Sequence, residues 1–199
     1  MKKLLNGIVD FRKNVRPAVK DTFALLALGQ RPDTLFIACS DSRVVPNLFA
    51  STEPGDLFVI RNVGNLIPPF SEGESGPHFG SEAAAIQFAL TQLPITEIVV
   101  CGHSECGAIK GAIDNVQLGN LTATLANIRP AVEATTGVPG ERGSKNHALV
   151  QAVAETNARL AARTLLERSP VMSGLVDAGS LKVVAAMHDT GTGKVTLLG

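Results

Sequence analysis

Short, continuous apolar runs alternate along the chain with longer segments in which apolar residues recur at helical spacing. The runs at residues 34–38, 57–60 and 97–101 have the length of strands. Because they lack a polar alternation, they are typical of strands that are buried on both faces of a parallel sheet. Residues 181–187 and 195–198, joined by a glycine-containing turn, predict a closing hairpin.

Apolar residues at helical spacing occur in most of the remaining chain. Residues 1–28 carry apolar positions three and four apart with a break at Pro17, which predicts two helical pieces. Their apolar stripe needs a partner, either the protein's own core or a second subunit. Further helices are predicted at 81–93, 106–115, 121–134 and 147–168, with a short helical segment after Pro46 and loops at 64–77 and 135–143, the second of them polar and mobile. Strands that alternate with helices predict an α/β fold with a mostly parallel central sheet flanked by helices.

Composition narrows the class of protein. A chain of 199 residues with 45% hydrophobic content suits one domain over residues 1–199, with 1–28 as an N-terminal helical arm. Eighteen basic residues balance eighteen acidic ones, so no net field favours nucleic acid or an anionic membrane. Polar residues interrupt the first ten positions, which argues against a signal peptide. Three cysteines cannot all pair, so we expect a reducing, cytoplasmic location.

Candidate metal ligands follow two of the predicted strands. Cys39 comes directly after the first run, while His103 and Cys106 come after the run at 97–101. Side chains at the carboxyl ends of neighbouring parallel strands open onto one crevice. Two thiolates and an imidazole suit Zn²⁺, and three protein ligands with an open position are the catalytic arrangement. The alternative is that Cys39 is a small buried apolar residue, as we expect for Cys101 inside its strand.

Asp41 and Arg43 add a possible second layer around such a metal. A metal-bound hydroxide donates one hydrogen bond, and a carboxylate is its natural acceptor. An arginine on the same carboxylate would keep it ionised and directed. If the arginine released it, Asp41 could become a fourth ligand and close the site. The alternative is a surface ion pair that contributes at most about 1 kcal/mol.

The runs at 38–44, 55–62 and 101–108 together resemble the β-class carbonic anhydrases, with the motifs in the family's order. Ala38 before the first cysteine and Gln30 upstream resemble the plant-like subtype of that family. The resemblance implies a zinc enzyme that reversibly hydrates CO₂ to bicarbonate and a proton. It implies one Zn²⁺ per chain on Cys39, His103 and Cys106, and an Asp41–Arg43 dyad that orients the zinc-bound hydroxide.

The same resemblance implies a substrate site and an assembly. Phe58, Val63 and Phe79 would form the apolar CO₂ pocket, Gln30 would contact the substrate, and so would the backbone N–H of Gly107. The smallest active unit would be a homodimer, or part of a higher homo-oligomer, in which the N-terminal arm reaches over its neighbour. We expect neither nucleic acid nor a membrane as a partner.

The chain also departs from some family members. Those members have a regulatory bicarbonate site built from a tryptophan, an arginine and a tyrosine. Here Phe36 stands at the tryptophan position and the chain contains no Trp or Tyr, although Arg61 is retained. The departure predicts that this regulation is absent.

Three other functions compete with CO₂ hydration. A related hydrolase could act on CS₂ or COS with the same metal ligands. A structural or regulatory zinc protein would keep Asp41 permanently on the metal. A redox protein would use Cys101 and Cys106. No histidine is an evident proton shuttle: His78 is the best placed in sequence, whereas His147 and His188 suggest only solvated or capping roles.

Overall fold

The central element is a five-stranded sheet in the order β2-β1-β3-β4-β5. A computed structural model describes residues 1–67, 80–168 and 170–199. The strands are β1 (Thr34–Cys39), β2 (Leu57–Asn62), β3 (Glu97–His103), β4 (Lys182–His188) and β5 (Val195–Leu198). The first four strands pair in parallel, and β5 pairs antiparallel with β4 at one edge. The predicted α/β fold with a mostly parallel sheet is therefore confirmed.

Helices connect and flank these strands. In chain order they are α1 (Lys2–Asp10), α2 (Lys20–Leu26), α3 (Pro46–Phe49), α4 (Ser81–Gln92), α5 (Gly107–Ile113), α6 (Gly119–Ala126), α7 (Arg129–Ala134), α8 (His147–Arg168) and α9 (Pro170–Asp177). A π-helical segment, Phe11–Val15, follows α1 and includes a 2.7 Å hydrogen bond from the Arg16 N–H to the Phe11 carbonyl. Among the described residues no helix combines the length and the apolar character that crossing a membrane requires.

The largest of three clusters of buried apolar residues lies between one face of the sheet and helices α4, α8 and α9. Leu35 and Ile37 of β1 are fully buried there, and burial of each side chain contributes about 1.5–3 kcal/mol. Helix α8 approaches the sheet closely at Gly102. A Cβ at this position would lie 2.8 Å from Met187 Sδ and 3.3 Å from the Ala154 carbonyl oxygen. Only glycine allows the helix and the strand to pack at this distance.

The opposite face of the sheet has a thinner cover. Phe36, Cys101 and Ala186 are buried on this face, where Val44 and the partly buried Phe49 of α3 pack against them. The predicted packing role of Cys101 agrees with its complete burial, which raises the pKa of its thiol to about 12.

The N-terminal arm does not bury its apolar stripe in its own core. None of residues 1–28 is buried, and its exposed large apolar residues range in exposed fraction from 38% for Phe11 to 93% for Met1, while Val19 and Leu26 are half-buried. The arm meets the rest of the chain where the Leu26 side chain lies against Gly55. Of the two destinations that the sequence left open, the protein's own core is not used.

Three details differ from the sequence prediction. The single helix expected at 121–134 is divided into α6 and α7, because Pro130 lacks an N–H and its ring disfavours a continuous helix through Ala126. Helix α9 was not predicted. The loop at 135–143, which was expected to be mobile, is held by two hydrogen bonds that Arg142 donates to the carbonyls of Thr135 and Val132 at 2.9 and 2.8 Å.

Candidate metal centre

Three buried side chains converge at the carboxyl ends of β1 and β3. Cys39 is the last residue of β1, His103 is the last residue of β3, and Cys106 immediately precedes α5. Their ligand atoms all lie within 4.8 Å of one another, and each residue is at most 5% exposed. The two strands are neighbours in parallel register, which brings loops 64 residues apart to one point. The structure thus unites the three predicted ligands.

His103 is oriented for coordination by the backbone. Its Nδ1–H donates to the Ser104 carbonyl oxygen at 2.9 Å, so Nε2 carries the free lone pair. Nε2 is buried and has no hydrogen-bond partner among the described residues. A buried nitrogen without a partner is costly. A metal ion shared with two sulfur atoms would satisfy it, so the residues present fit Zn²⁺.

The two thiols interact directly. A hydrogen bond from Cys106, opposed in part by burial, lowers the pKa of Cys39. The same bond, together with burial and the nearby Cys39 charge, raises the pKa of Cys106. The pair therefore loses its first proton more readily than its second. A cation would favour loss of both protons, because metal binding and thiol deprotonation are linked.

Asp41 and Arg43 form a bidentate ion pair beside these ligands. Arg43 donates from Nε to Asp41 Oδ1 at 2.9 Å and from Nη2 to Oδ2 at 2.8 Å, and its backbone N–H also reaches Oδ1. These bonds hold the pKa of Asp41 well below its usual range, so the group is a carboxylate at neutral pH. Asp41 Oδ2 lies 4.0 Å from His103 Nε2, which places it at the rim of the ligand cluster.

Arg61 holds the loop that carries Cys39 and Asp41. Its Nε donates to the Cys39 carbonyl oxygen at 3.0 Å and its Nη2 to the Asp41 carbonyl oxygen at 2.6 Å. Sequence reasoning treated Arg61 only as a remnant of a regulatory site. In the structure, two of its donors are directed at the backbone of the ligand loop.

Glu105, between His103 and Cys106, is a second residue that the sequence did not single out. Its φ of 54° lies in the left-handed region, where a non-glycine residue is uncommon. Its carboxylate is bonded to Lys110 at 2.5 Å and to His147 at 2.8 Å, which lowers its pKa. Its backbone carbonyl accepts a 3.2 Å hydrogen bond from Arg43 Nη2. This residue links the ligand loop to α5, to α8 and to the ion pair.

The predicted substrate residues do not all lie beside the ligands of their own chain. Val63 follows β2 close to the centre, is 41% exposed and lines a cavity of about 290 Å³. Gly107 follows Cys106, and a Cβ there would meet open space. Phe58 pairs with Leu35, four residues before Cys39, which is about 13 Å along the strand. Gln30 is exposed and precedes β1. Phe79 lies outside the described residues.

The histidines outside the ligand set differ from one another. His147 is exposed, as expected, and bonds to Glu105. His188 was expected to be solvated or capping, but it is 4% exposed and stacks on Phe49 with ring centroids 4.3 Å apart. Burial, followed by the nearby His103, lowers the pKa of His188. His78 lies outside the described residues.

Sequence comparison gives a consistent result. The profile of the family described as "Carbonic anhydrase" matches residues 34–195. A carbonic anhydrase of Pseudomonas aeruginosa is 34% identical over 198 residues, which cover 100% of this chain and 87% of that protein. A carbonic anhydrase of Synechococcus elongatus is 50% identical over 118 residues, 59% of this chain. The matches span 42% of the S. elongatus protein and 39% of a Synechocystis relative, about two fifths of their lengths.

Solved structures share the whole fold. The β-carbonic anhydrase CcaA superimposes with a TM-score of 0.87 at 33% identity, covering 100% of this chain and 95% of that one. One of two β-carbonic anhydrases of Sordaria macrospora that are described as tetrameric gives a TM-score of 0.82 at 26% identity, covering 100% and 96%.

Proposed function

Because this chain belongs to the β-carbonic anhydrase family, we propose that it catalyses the reversible hydration of CO₂ to bicarbonate and a proton. The observation that carries the proposal is the buried Cys39–His103–Cys106 cluster with a carboxylate at its rim. A closed structural site would call for a fourth protein ligand. Among the described residues, only three such side chains group here.

Zn²⁺ is the metal that this donor set favours, with one ion per chain on Cys39, His103 and Cys106. When bound, it supplies a Lewis acid that lowers the pKa of a coordinated water and makes it a nucleophile, though at more alkaline pH than in a site of histidines alone, because two thiolates offset the metal charge. The protein's contribution is to hold the ligand atoms in fixed directions. The Ser104 carbonyl selects the tautomer of His103, and the loop bonds of Arg61 fix the backbone of Cys39.

Asp41 and Arg43 act as an orienting dyad in this proposal. Arg43 occupies both carboxylate oxygens of Asp41, which keeps the group ionised and turned to a fixed direction. Oδ2 retains lone-pair capacity and accepts a hydrogen bond from the attacking water, so that the nucleophilic lone pair faces CO₂. Release of Asp41 by Arg43 would allow the carboxylate to reach the metal position, which is the closed state of the zinc-protein alternative.

The substrate pocket is the part of the proposal that one chain does not complete. Val63 and the Gly107 N–H are near the ligands of their own chain, and Phe79 is assigned to the pocket by family resemblance alone. Phe58 is the second residue of β2, and Gln30 precedes β1. Both therefore lie towards the amino ends of the strands, whereas the metal ligands lie at the carboxyl ends. We therefore propose that they contact CO₂ in the site of a second copy. Gln30 and Ala38 are also what supports the plant-like subtype.

A homodimer or higher oligomer follows from the same reasoning. The arm of residues 1–28 presents exposed apolar side chains that need a cover, and the Sordaria relative is described as tetrameric. We propose that residues 1–199 form one domain whose arm packs on a second copy. Replacement of Ile8 by Asp, at 50% exposure in the arm, should convert the oligomer to monomer in analytical ultracentrifugation. An unchanged sedimentation coefficient would contradict this assembly.

Stopped-flow CO₂ hydration with parallel zinc determination tests the function. We expect an active wild type with one zinc per chain, and a Cys106→Ser variant that loses both. Full activity in a zinc-free variant would refute the proposal. Zinc without CO₂ hydration at pH 7–9 would favour the closed zinc protein, and turnover of CS₂ or COS instead of CO₂ would favour the related hydrolase.

A further inference from the structure

A buried hydrogen bond ties α8 to the turn that follows β2. Asn157, within α8 and 4% exposed, donates from Nδ2 to the Gly64 carbonyl oxygen at 3.0 Å. The two residues are 93 positions apart in sequence. A buried amide costs free energy unless it is hydrogen-bonded, and here its donor is used to hold a distant turn.

The turn itself has little freedom at Gly64. Its φ is 83°, in the region that favours glycine, and Asn65 beside it also has a positive φ of 46°. A Cβ on Gly64 would lie 3.0 Å from Ile128 Cδ1 and 3.2 Å from Ala108 Cβ. Gly64 is therefore fitted between the Ile128 side chain and the start of α5, the helix that follows Cys106.

Asn62 closes the same turn from its other end. Its Oδ1 accepts from the Leu66 N–H at 2.7 Å, and its Nδ2 donates to the Leu66 carbonyl at 2.8 Å. Asn62 is also the register partner of Cys39 across the β1–β2 pair. The two asparagines thus fix the turn at residues 62–66 directly beside the first metal ligand.

The fixed turn packs against the strand end that carries the ligand. The Asn62 carbonyl oxygen accepts a 2.9 Å hydrogen bond from the Ser40 N–H, and Asn157 holds the Gly64 carbonyl two residues further along the turn. Partners outside the ligand set orient the ligands and tune the metal. We propose that Asn157 is a positioning residue of the metal centre, which holds the turn at residues 62–66 against the strand end that carries Cys39. This inference rests on the metal site proposed above.

Cobalt substitution tests the inference with a readout other than activity, because the sulfur-to-cobalt charge-transfer band reports on thiolate geometry. Asn157→Leu keeps the approximate shape of the side chain and removes the donor. Thr156→Val is the matched control, since the neighbouring Thr156 hydroxyl bonds Thr135 at 3.0 Å, away from the turn. We expect Asn157→Leu to shift the band and to bind metal about 10- to 100-fold more weakly. Thr156→Val should keep the wild-type band and affinity, whatever its thermal stability.

Each outcome decides the inference. A wild-type band and affinity in Asn157→Leu would overturn it, and so would equal changes in Thr156→Val, because the effect would then be a general loosening of α8. If Asn157→Leu does not fold, Asn62→Ala, which frees the other end of the turn, is judged by the same two readouts. A wild-type chain that bound neither cobalt nor zinc would refute the metal site itself, which is visible before any variant is compared.

Discussion

Removal of the Arg61 side chain should weaken both the fold and the metal site. Its two hydrogen bonds, to the carbonyl oxygens of Cys39 and Asp41, are made by a charged donor. Such bonds contribute about 1.5–3 kcal/mol each where they are shielded from water. Because Arg61 is exposed, solvent screening reduces the contribution of each bond to about 1–1.5 kcal/mol. We expect Arg61→Met to lose about 2–3 kcal/mol of unfolding free energy in the metal-free protein.

The same change should affect metal binding more than stability alone would predict. The loop that Arg61 holds carries Cys39 and Asp41, so its release lets a ligand and an orienting carboxylate move together. We expect zinc affinity to fall about 10- to 100-fold, as is usual when an outer partner of a ligand is lost. Urea unfolding of the metal-free protein and competition with a chromophoric chelator measure the two effects separately.

Arg142 offers a matched control for this experiment. It also donates to two backbone carbonyls, those of Thr135 and Val132, but far along the chain from the ligands. Arg142→Met should lower the unfolding free energy by a similar amount and leave zinc affinity unchanged. The reasoning would be refuted if Arg61→Met matched the wild type in zinc affinity, or if both variants lost it equally.

Further predictions concern the dyad, the packing and the turn after β4. Asp41→Asn should retain zinc by metal analysis and lose at least about 100-fold in CO₂ hydration; unchanged activity would exclude an orienting role. Gly102→Ala should lower the free energy of unfolding in urea by about 1–3 kcal/mol, because its Cβ would meet Met187 and backbone. The control Gly174→Ala in α9, where a Cβ meets open space, should raise it by about 0.5–1 kcal/mol. Hydrogen bonds from the backbone N–H groups of Thr192 and Gly191 lower the pKa of Asp189. Because the pKa in the folded state lies below the unfolded value near 3.9, the ionised Asp189 stabilises the fold fully above about pH 4, and this stabilisation is lost as pH falls through the folded pKa. The stability difference between Asp189→Ala and wild type should therefore be constant at pH 6–8 and shrink below pH 4, and a constant difference down to pH 2 would contradict the assignment.

The sequence predicted the sheet well because its strands are short, continuous and apolar. The run at 34–38 corresponds to Thr34–Cys39, and the placement of ligands at strand ends followed from the parallel topology alone. The helix predicted at 147–168 matches α8, whose long uninterrupted pattern contains neither proline nor glycine. The division between α6 and α7 has a local signal, Pro130, which opposes the apolar periodicity of residues 121–134.

The contacts that support the metal ligands could not be predicted in this way. The bond from Asn157 to Gly64 joins residues 93 apart, and the bond from Arg61 to Asp41 depends on the register of β1 and β2. No local sequence pattern predicts the left-handed backbone conformation of Glu105, because its side-chain partners Lys110 and His147 lie on two different helices. Such contacts depend on tertiary placement rather than on local pattern.

The exposed arm also bears on the order in which this protein is assembled. None of residues 1–28 is buried in the folded chain. In the proposed assembly, the sheet and its helices can therefore form before the arm packs on a second copy, and association is a separate, second-order step. On dilution, subunit dissociation should precede loss of the sheet, so that the apparent melting temperature of the sheet depends only weakly on protein concentration. In that assembly, the exposed apolar arm makes an unassociated subunit the form most prone to aggregation and proteolysis.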